Sequence, residues 1–175
     1  MVLSDMHLKE LLEAWTLVIS PLYADGSSIK SNHIDLRLGH RLLKYSMKVL
    51  DLKSPNVVVE EILISDSGFI LSPWEFVLWC TLETVEVPNG YRGFVETKGN
   101  IARAGIQAHN TDGHVDPGFK WTITLEIKNN SNHAIVIYPE MFFVQIYIFK
   151  ASSCSENPYM GKYQHQEGAT FYQVD

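Results

Sequence analysis

Cysteine is scarce in this chain, with only Cys80 and Cys154 among 175 residues. They form no CxxC pair and are too few for a disulfide framework, which excludes a small disulfide-stapled fold. Basic charge is also in short supply: 14 Lys+Arg face 20 Asp+Glu, a formal net charge of −6. A protein that grips a nucleic-acid backbone needs a basic face to displace counterions, so that class is excluded, although a local cluster of Lys and Arg suffices for one phosphorylated small molecule. Long apolar runs are missing. None approaches the roughly 20 residues that span a bilayer, and the N-terminal stretch MVLSDMHLKELLEAW mixes charges into its apolar pattern where a signal peptide has an uncharged core. The expectation is a cytoplasmic protein with no membrane partner, folded as one domain over residues 1–175. A Walker loop, a G-x-S-x-G elbow and a Cys/His nucleophile arrangement are absent as well, which leaves covalent catalysis without a candidate.

What is present is mainly β-sequence. Leu8, Leu11, Leu12 and Trp15 have the spacing of one helical face, with Ser4 and Asp5 as caps, and predict a single short N-terminal helix. After Pro21, Gly, Ser, Asn and Asp punctuate short runs rich in Val, Ile, Phe, Trp, Tyr and Thr, residues that suit a pleated, half-buried surface. From Trp121 to Lys128, Trp121, Ile123, Leu125 and Ile127 alternate with Thr122, Thr124, Glu126 and Lys128, so Glu126 falls on the face opposite the apolar set. The runs Glu75 to Val87 and Ala134 to Phe149 are apolar on both faces for part of their length, as for strands covered by a second sheet or a partner subunit. Turn signals at Asp66-Ser-Gly, Pro88-Asn-Gly, Asp112-Gly113, Pro117-Gly118 and Asn129-Asn-Ser-Asn are spaced as in a β-sandwich or barrel. By composition alone, Ser155 to Asp175 reads as a frayed tail.

Two segments combine charge with turn chemistry. Glu96 to Gly105 offers Lys98 and Arg103 as phosphate donors and Gly99 and Gly105 for close backbone approach; solvated surface cations are the plainer reading. His109 to Gly118 leads into the strand of Glu126 and sets Asp116 ten residues before it across a turn. Two carboxylates facing one cleft can divide general acid/base work if their environments separate their pKa values. The plainer alternative is an Asp that fixes its own turn and a Glu in water. His109 and His114 lack a third ligand at zinc spacing, so no protein-held metal is assigned. The H-x-E and P-C-x-x-C signature of zinc nucleobase deaminases is absent too, and any deamination here must activate water without zinc.

Six stretches in order, taken together, resemble the dCTP deaminase family of the trimeric dUTPase-like superfamily. They are Ile34-Asp-Leu-Arg-Leu-Gly39, Leu71-Ser-Pro-Trp-Glu-Phe-Val-Leu78, Ile101-Ala-Arg-Ala-Gly-Ile106, Val115-Asp-Pro-Gly-Phe119, Ile123-Thr-Leu-Glu-Ile127 and Asn157-Pro-Tyr-Met-Gly-Lys-Tyr-Gln-His-Gln-Glu-Gly168. The tail form is most similar to archaeal-type members. The resemblance implies an all-β, distorted barrel of jelly-roll character with a short N-terminal helix. It also implies a homotrimer with sites between subunits, and a tail, 155–175, that closes over a nucleotide triphosphate. It further implies that Glu126 shuttles protons for water attacking C4 of cytosine, that Asp116 approaches the deoxyribose or activates a second water, and that Arg103 assists beside base and phosphates. Tyr159, Lys162 and Gln166 would hold the triphosphate, with Lys98, Gly99 and Asn100 in the phosphate segment and Thr111, Asp112, Thr124 and Leu125 completing the substrate pocket. Magnesium would arrive with the phosphates.

The departures from the family pattern also carry information. Thr97-Lys98-Gly99-Asn100 stands where the family reads Gly-Arg-Ser-Ser. Lys98 keeps the charge but not the arginine fork, and Gly99 lacks the hydroxyl that positions the attacking water, a loss on the order of 2–4 kcal/mol if nothing replaces it. Asp112 replaces an alanine near the base, and Trp121 a glycine. The leading expectation is dCTP deamination, either alone or with dUTP hydrolysis coupled to it. The alternatives are a diphosphatase for dUTP or a modified pyrimidine nucleotide, and a catalytically weak nucleotide-binding regulatory trimer.

Overall fold

The structure, a computed structural model, describes residues 1–174. The amphipathic N-terminal stretch forms helix α1, Asp5–Glu13, with Leu8 fully buried and Ser4 at its N-cap. The Ser4 hydroxyl bonds the His7 ring at 3.2 Å and no helix amide. Trp15 departs from the expected face. The amides of Thr16 and Leu17 both return to the Leu11 carbonyl, so the helix has already ended; Trp15 has φ +53° and is 77% exposed.

Eleven strands occur among the described residues: β1 Val18–Ser20, β2 Ile34–Tyr45, β3 Val59–Leu63, β4 Phe69–Leu71, β5 Phe76–Glu86, β6 Tyr91–Thr97, β7 Ile106–Gln107, β8 His114–Val115, β9 Lys120–Asn129, β10 Ile135–Ile137 and β11 Phe142–Lys150. A second helix, α2, Gly99–Arg103, follows β6. The main sheet runs β7-β9-β5-β2-β11-β6-β8, with β1 added to β5 and β3 to β2. Strand β2 pairs with β11 through Ile34–Arg37 and with β5 and β3 through its later half, so one long strand joins both sides of a curled sheet. This is the all-β architecture expected, with the main sheet curled into a half-barrel. The apolar run from Ala134 to Phe149 is two strands, not one. Pro139 and the positive φ of Glu140 (+60°) interrupt it, and β10 leaves to pair with β4 in a separate two-stranded sheet.

The core is filled by Trp79, Phe143, Leu36, Leu38, Leu125 and Ile127 together with α1's Leu8, all at most 1% exposed. Trp79 Nε1 donates to the Gly39 carbonyl at 2.8 Å. A side chain at Gly39 would meet Cys80 Sγ at 3.0 Å, so glycine is what lets β2 and β5 approach there. An ion pair is buried between β2 and β5. Arg37 donates from its main-chain N and Nε to the two Glu83 carboxylate oxygens at 2.8 and 2.7 Å, and from Nη2 to the Pro21 carbonyl at 2.7 Å. Both cysteines are free, Cys80 buried and Cys154 exposed. No helix among the described residues is long and apolar enough to cross a membrane.

Candidate functional site

Alternation along β9 sends Leu125 and Ile127 into the core and leaves Thr122, Thr124 and Glu126 on the other face. Ile123, Thr124, Leu125 and Glu126 of β9 form one wall of a cavity of about 920 Å³, near the upper end of the range for small-molecule sites. The facing wall is the loop between β7 and β8. Three contacts fix it: the Ala108 amide donates to Thr97 Oγ1 at 2.8 Å, Gln107 Nε2 to the Asn110 carbonyl at 2.8 Å, and the Val95 amide to the Gly113 carbonyl at 2.7 Å. Gly113 has to be glycine, because a Cβ there would lie 2.5 Å from the Val95 carbonyl oxygen. The loop so held aims the Asn110 amide at Glu126, whose Oε2 accepts it at 2.9 Å. Asp112 accepts the His114 amide at 3.2 Å, which gives the turn its shape.

The sequence-predicted residues divide into two groups. Thr111, Asp112, Asp116, Thr124, Leu125, Glu126, Tyr159, Lys162 and Gln166 all line the one cavity. Lys98, Gly99, Asn100 and Arg103 do not. They start and form α2, and α2 leads into β7, which pairs with the far end of β9 at Lys128 and Asn129. Lys98 Nζ is bonded at 2.5 Å to Asp35, whose side chain is 2% exposed. Asp116 is half-exposed and 3.4 Å from Arg92, an ion pair of little energetic weight in water.

Residues 155–174 are not frayed; Asp175 lies outside the described residues. They lack regular secondary structure, but their polar side chains dock on β9 and on the turn that precedes it. The Tyr159 amide donates to the Pro117 carbonyl at 2.8 Å. Gln164 accepts the Lys120 amide at 3.0 Å and donates to the Gly118 carbonyl at 2.8 Å. Gln166, 9% exposed, donates to the Thr122 carbonyl at 2.6 Å and accepts from Thr170 Oγ1 at 2.5 Å. The Thr170 amide donates to Thr124 Oγ1 at 3.1 Å, and Lys162 Nζ to the Gln173 carbonyl at 2.7 Å. Composition gave no sign of this docking, because its glutamines and threonines find partners only once β9 is in place.

Reading the residues one by one missed Tyr45, Phe76, Tyr163 and Tyr172, which also line the cavity, and weighed His109, a further lining residue, only as a metal ligand. His109 Nε2 lies 3.2 Å from Glu96, and its Nδ1 is buried without a partner. Only its position at the head of the turn-rich segment gave it away in sequence. Burial pushes the Cys80 thiol above its ordinary pKa, so it stays protonated and is no nucleophile.

Chemically, the cavity combines, among the described residues, a carboxylate pinned by one backbone amide, two further carboxylates, aromatic walls, and Lys162 as its one lysine. Glu126 can accept a proton and return it, as general acid/base work requires. No group of three His, Cys, Asp or Glu side chains suited to holding a metal ion occurs among the described residues.

Comparison with known proteins follows the same lines. Residues 2–151 match the family model described as dCTP deaminase-like. The "dCTP deaminase, dUMP-forming" of Persephonella marina is 37% identical over 174 residues, covering 97% of this chain and 95% of that protein. The protein of the same description from Dictyoglomus thermophilum is 38% identical over 180 residues, covering 97% and 93%. A dCTP deaminase of Staphylothermus marinus is 35% identical over 182 residues, covering 97% of each chain. Among solved structures, the 2'-deoxycytidine 5'-triphosphate deaminase of Agrobacterium tumefaciens has the same fold with a TM-score of 0.66 at 19% identity, covering 84% of this chain; this chain spans 47% of that one. With the motifs, the fold and relatives aligned over nearly its whole length in agreement, the chain belongs to the dCTP deaminase-like family.

Proposed function

We propose that the chain is a dCTP deaminase that carries its product on to dUMP. One water adds to C4 of cytosine and the 4-amino group leaves as ammonia, giving dUTP; a second attacks the α-phosphorus and releases pyrophosphate. The observation that carries this reading is Glu126, half-buried in the cavity with one oxygen fixed by the Asn110 amide. Glu126 takes a proton from the attacking water and delivers it to the departing amine. The dUMP-forming description of relatives 37–38% identical to this chain supports the second step.

Charge argues for a shared site. Among the described residues, three carboxylates, Asp112, Asp116 and Glu126, line the cavity with Lys162 as its one lysine, a poor balance for a triphosphate. In a homotrimer, α2 of a neighbouring subunit brings Arg103 and the Lys98-Gly99-Asn100 segment to that cavity, while Tyr159, Lys162 and Gln166 of the tail cover the phosphates. Asp116 holds the sugar and helps activate the second water. Mg²⁺ enters on the triphosphate oxygens as part of the substrate, which suits a cavity of scattered carboxylates. The protein works in the cytoplasm as one domain, 1–175, with 155–175 as its lid.

The test is a panel of pyrimidine nucleoside triphosphates with Mg²⁺, in which ammonia and pyrophosphate are both measured. Glu126→Gln should lower ammonia release from dCTP by about 10³-fold or more, with thermal stability unchanged. A variant that still releases ammonia at the wild-type rate refutes the assignment. Gly99 favours a second reading, a dUTP diphosphatase, because glycine supplies no hydroxyl for the water that attacks the base. Pyrophosphate from dUTP with no ammonia from dCTP would select it.

A further inference from the structure

We propose that Asp35 is a positioning residue for the phosphate-binding segment. It holds Lys98 in an ion pair that fixes α2, so the net positive charge this segment presents to the triphosphate is that of Arg103, not Lys98. The proposal rests on the function proposed above.

Asp35 is 1% exposed, in the middle of the sheet where β2 meets β11 at the register pair Gln145↔Asp35. Its Oδ2 accepts from Lys98 Nζ at 2.5 Å. Around Oδ1 are Gln145 Nε2 at 3.4 Å and His33 Nε2 at 3.7 Å, both more distant. Burial lowers the His33 pKa below its ordinary value, which leaves Lys98 as the one permanent cation beside this carboxylate. A buried carboxylate that loses such a partner keeps the whole cost of its desolvation. For Lys98 to swing onto a phosphate it would have to leave Asp35 in that state. If it stays, the pair is neutral and adds nothing to the field that attracts a triphosphate.

Lys98 is also tied down by its main chain. Its amide donates to the Phe143 carbonyl of β11 at 2.9 Å, and its carbonyl accepts the Ala102 amide at 2.9 Å. The ammonium lies 5.9 Å from the centre of the Phe142 ring. The start of α2 is therefore joined to β11 by backbone and to β2 by side chain. Arg103 follows five residues on, about 7.5 Å along a helical rise. It is exposed, in the last turn, and takes part in no ion pair among the described residues. Its Nη1 reaches back to 3.4 Å from where a Cβ of Gly99 would stand, so its guanidinium covers the stretch of α2 whose first residue has no side chain.

The experiment compares Lys98→Met, Asp35→Asn, the double variant and Arg103→Met in the full-length protein. It records KM and kcat for dCTP with Mg²⁺, together with Tm. Lys98→Met should raise KM about tenfold and lower Tm, and adding Asp35→Asn should return both to within about threefold and a few degrees of wild type. Asp35→Asn alone should lower Tm and, because the ammonium is no longer neutralised, lower KM several-fold, whereas Arg103→Met should raise KM about 30-fold or more with Tm unchanged and gain nothing in Tm from Asp35→Asn. Two results overturn the proposal. One is a double variant whose Tm recovers while its KM stays as poor as that of Lys98→Met. The other is a KM for Asp35→Asn unchanged from wild type, the mark of a Lys98 that Asp35 does not neutralise. Wild type that neither binds nor turns over dCTP would refute the functional reading and the phosphate half of this proposal with it. The Tm coupling of Asp35 and Lys98 reports on the pair independently of any substrate.

Discussion

At the scale of single residues, the proposed chemistry rests on Glu126 and Gly99. The period-two alternation of β9 assigned Glu126 its face from sequence alone, because a strand with one buried face has its register strongly specified. Sequence did not show the Asn110 amide that pins it, since that contact depends on Gly113 packing against Val95 thirty-one residues before Glu126 in the chain. Asn129 was hidden in the same way. It reads as the start of a turn, yet it is fully buried and donates to the carbonyls of Leu71, Ser72 and His133. Gly99 gives a direct test of water positioning. A Cβ there meets only Arg103 Nη1 at 3.4 Å, an ordinary contact, so serine fits. Gly99→Ser should leave Tm unchanged and raise the kcat of ammonia release by about tenfold or more, as expected when one positioning hydrogen bond is gained. An unchanged or lower kcat would mean that the water is already positioned by another group.

Among the elements, the tail and the start of β5 show what patterning can and cannot reveal. Strands with regular alternation and turns rich in Gly, Asn or Pro were legible, whereas the tail has no period to read because it binds through side chains to a strand already formed. Removing residues 156–175 should leave the far-ultraviolet spectrum of the sheet intact and raise KM for the nucleotide about 100-fold or more, the scale of two lost hydrogen bonds to a charged group. Loss of the folded state would instead make the tail part of the core. At the start of β5, burial pushes the Glu75 carboxyl upward, but its ion pair with Lys44 and the Ser72 amide at 2.7 Å outweigh that and hold it below the ordinary carboxylate range. A carboxyl with a depressed folded-state pKa stabilises the fold above its unfolded value, and the contribution is lost as pH falls through the folded value. The stability gap between wild type and Glu75→Gln, about 1–3 kcal/mol at pH 7, should therefore narrow below about pH 4. A gap that stays constant down to pH 2 would show that Glu75 acts through packing.

At the scale of the whole molecule, the acidic balance and the paucity of Lys and Arg take on a specific meaning. A chain with formal charge −6 cannot bind polyanions broadly, and among the described residues its cavity holds three carboxylates with one lysine. The charge a triphosphate needs sits on α2, outside that cavity, so in our account the working unit is more than one chain. The separation of Arg103 from Glu126 was not legible in sequence, because motifs in chain order say which residues belong to a site and not which copy of the chain supplies them. The most direct measurement of the central claim is product analysis after the purified protein is incubated with dCTP and Mg²⁺. The account predicts ammonia and pyrophosphate in equal amounts with dUMP as the nucleotide product; dCTP recovered unchanged, under conditions where a dUMP-forming relative consumes it, would contradict it.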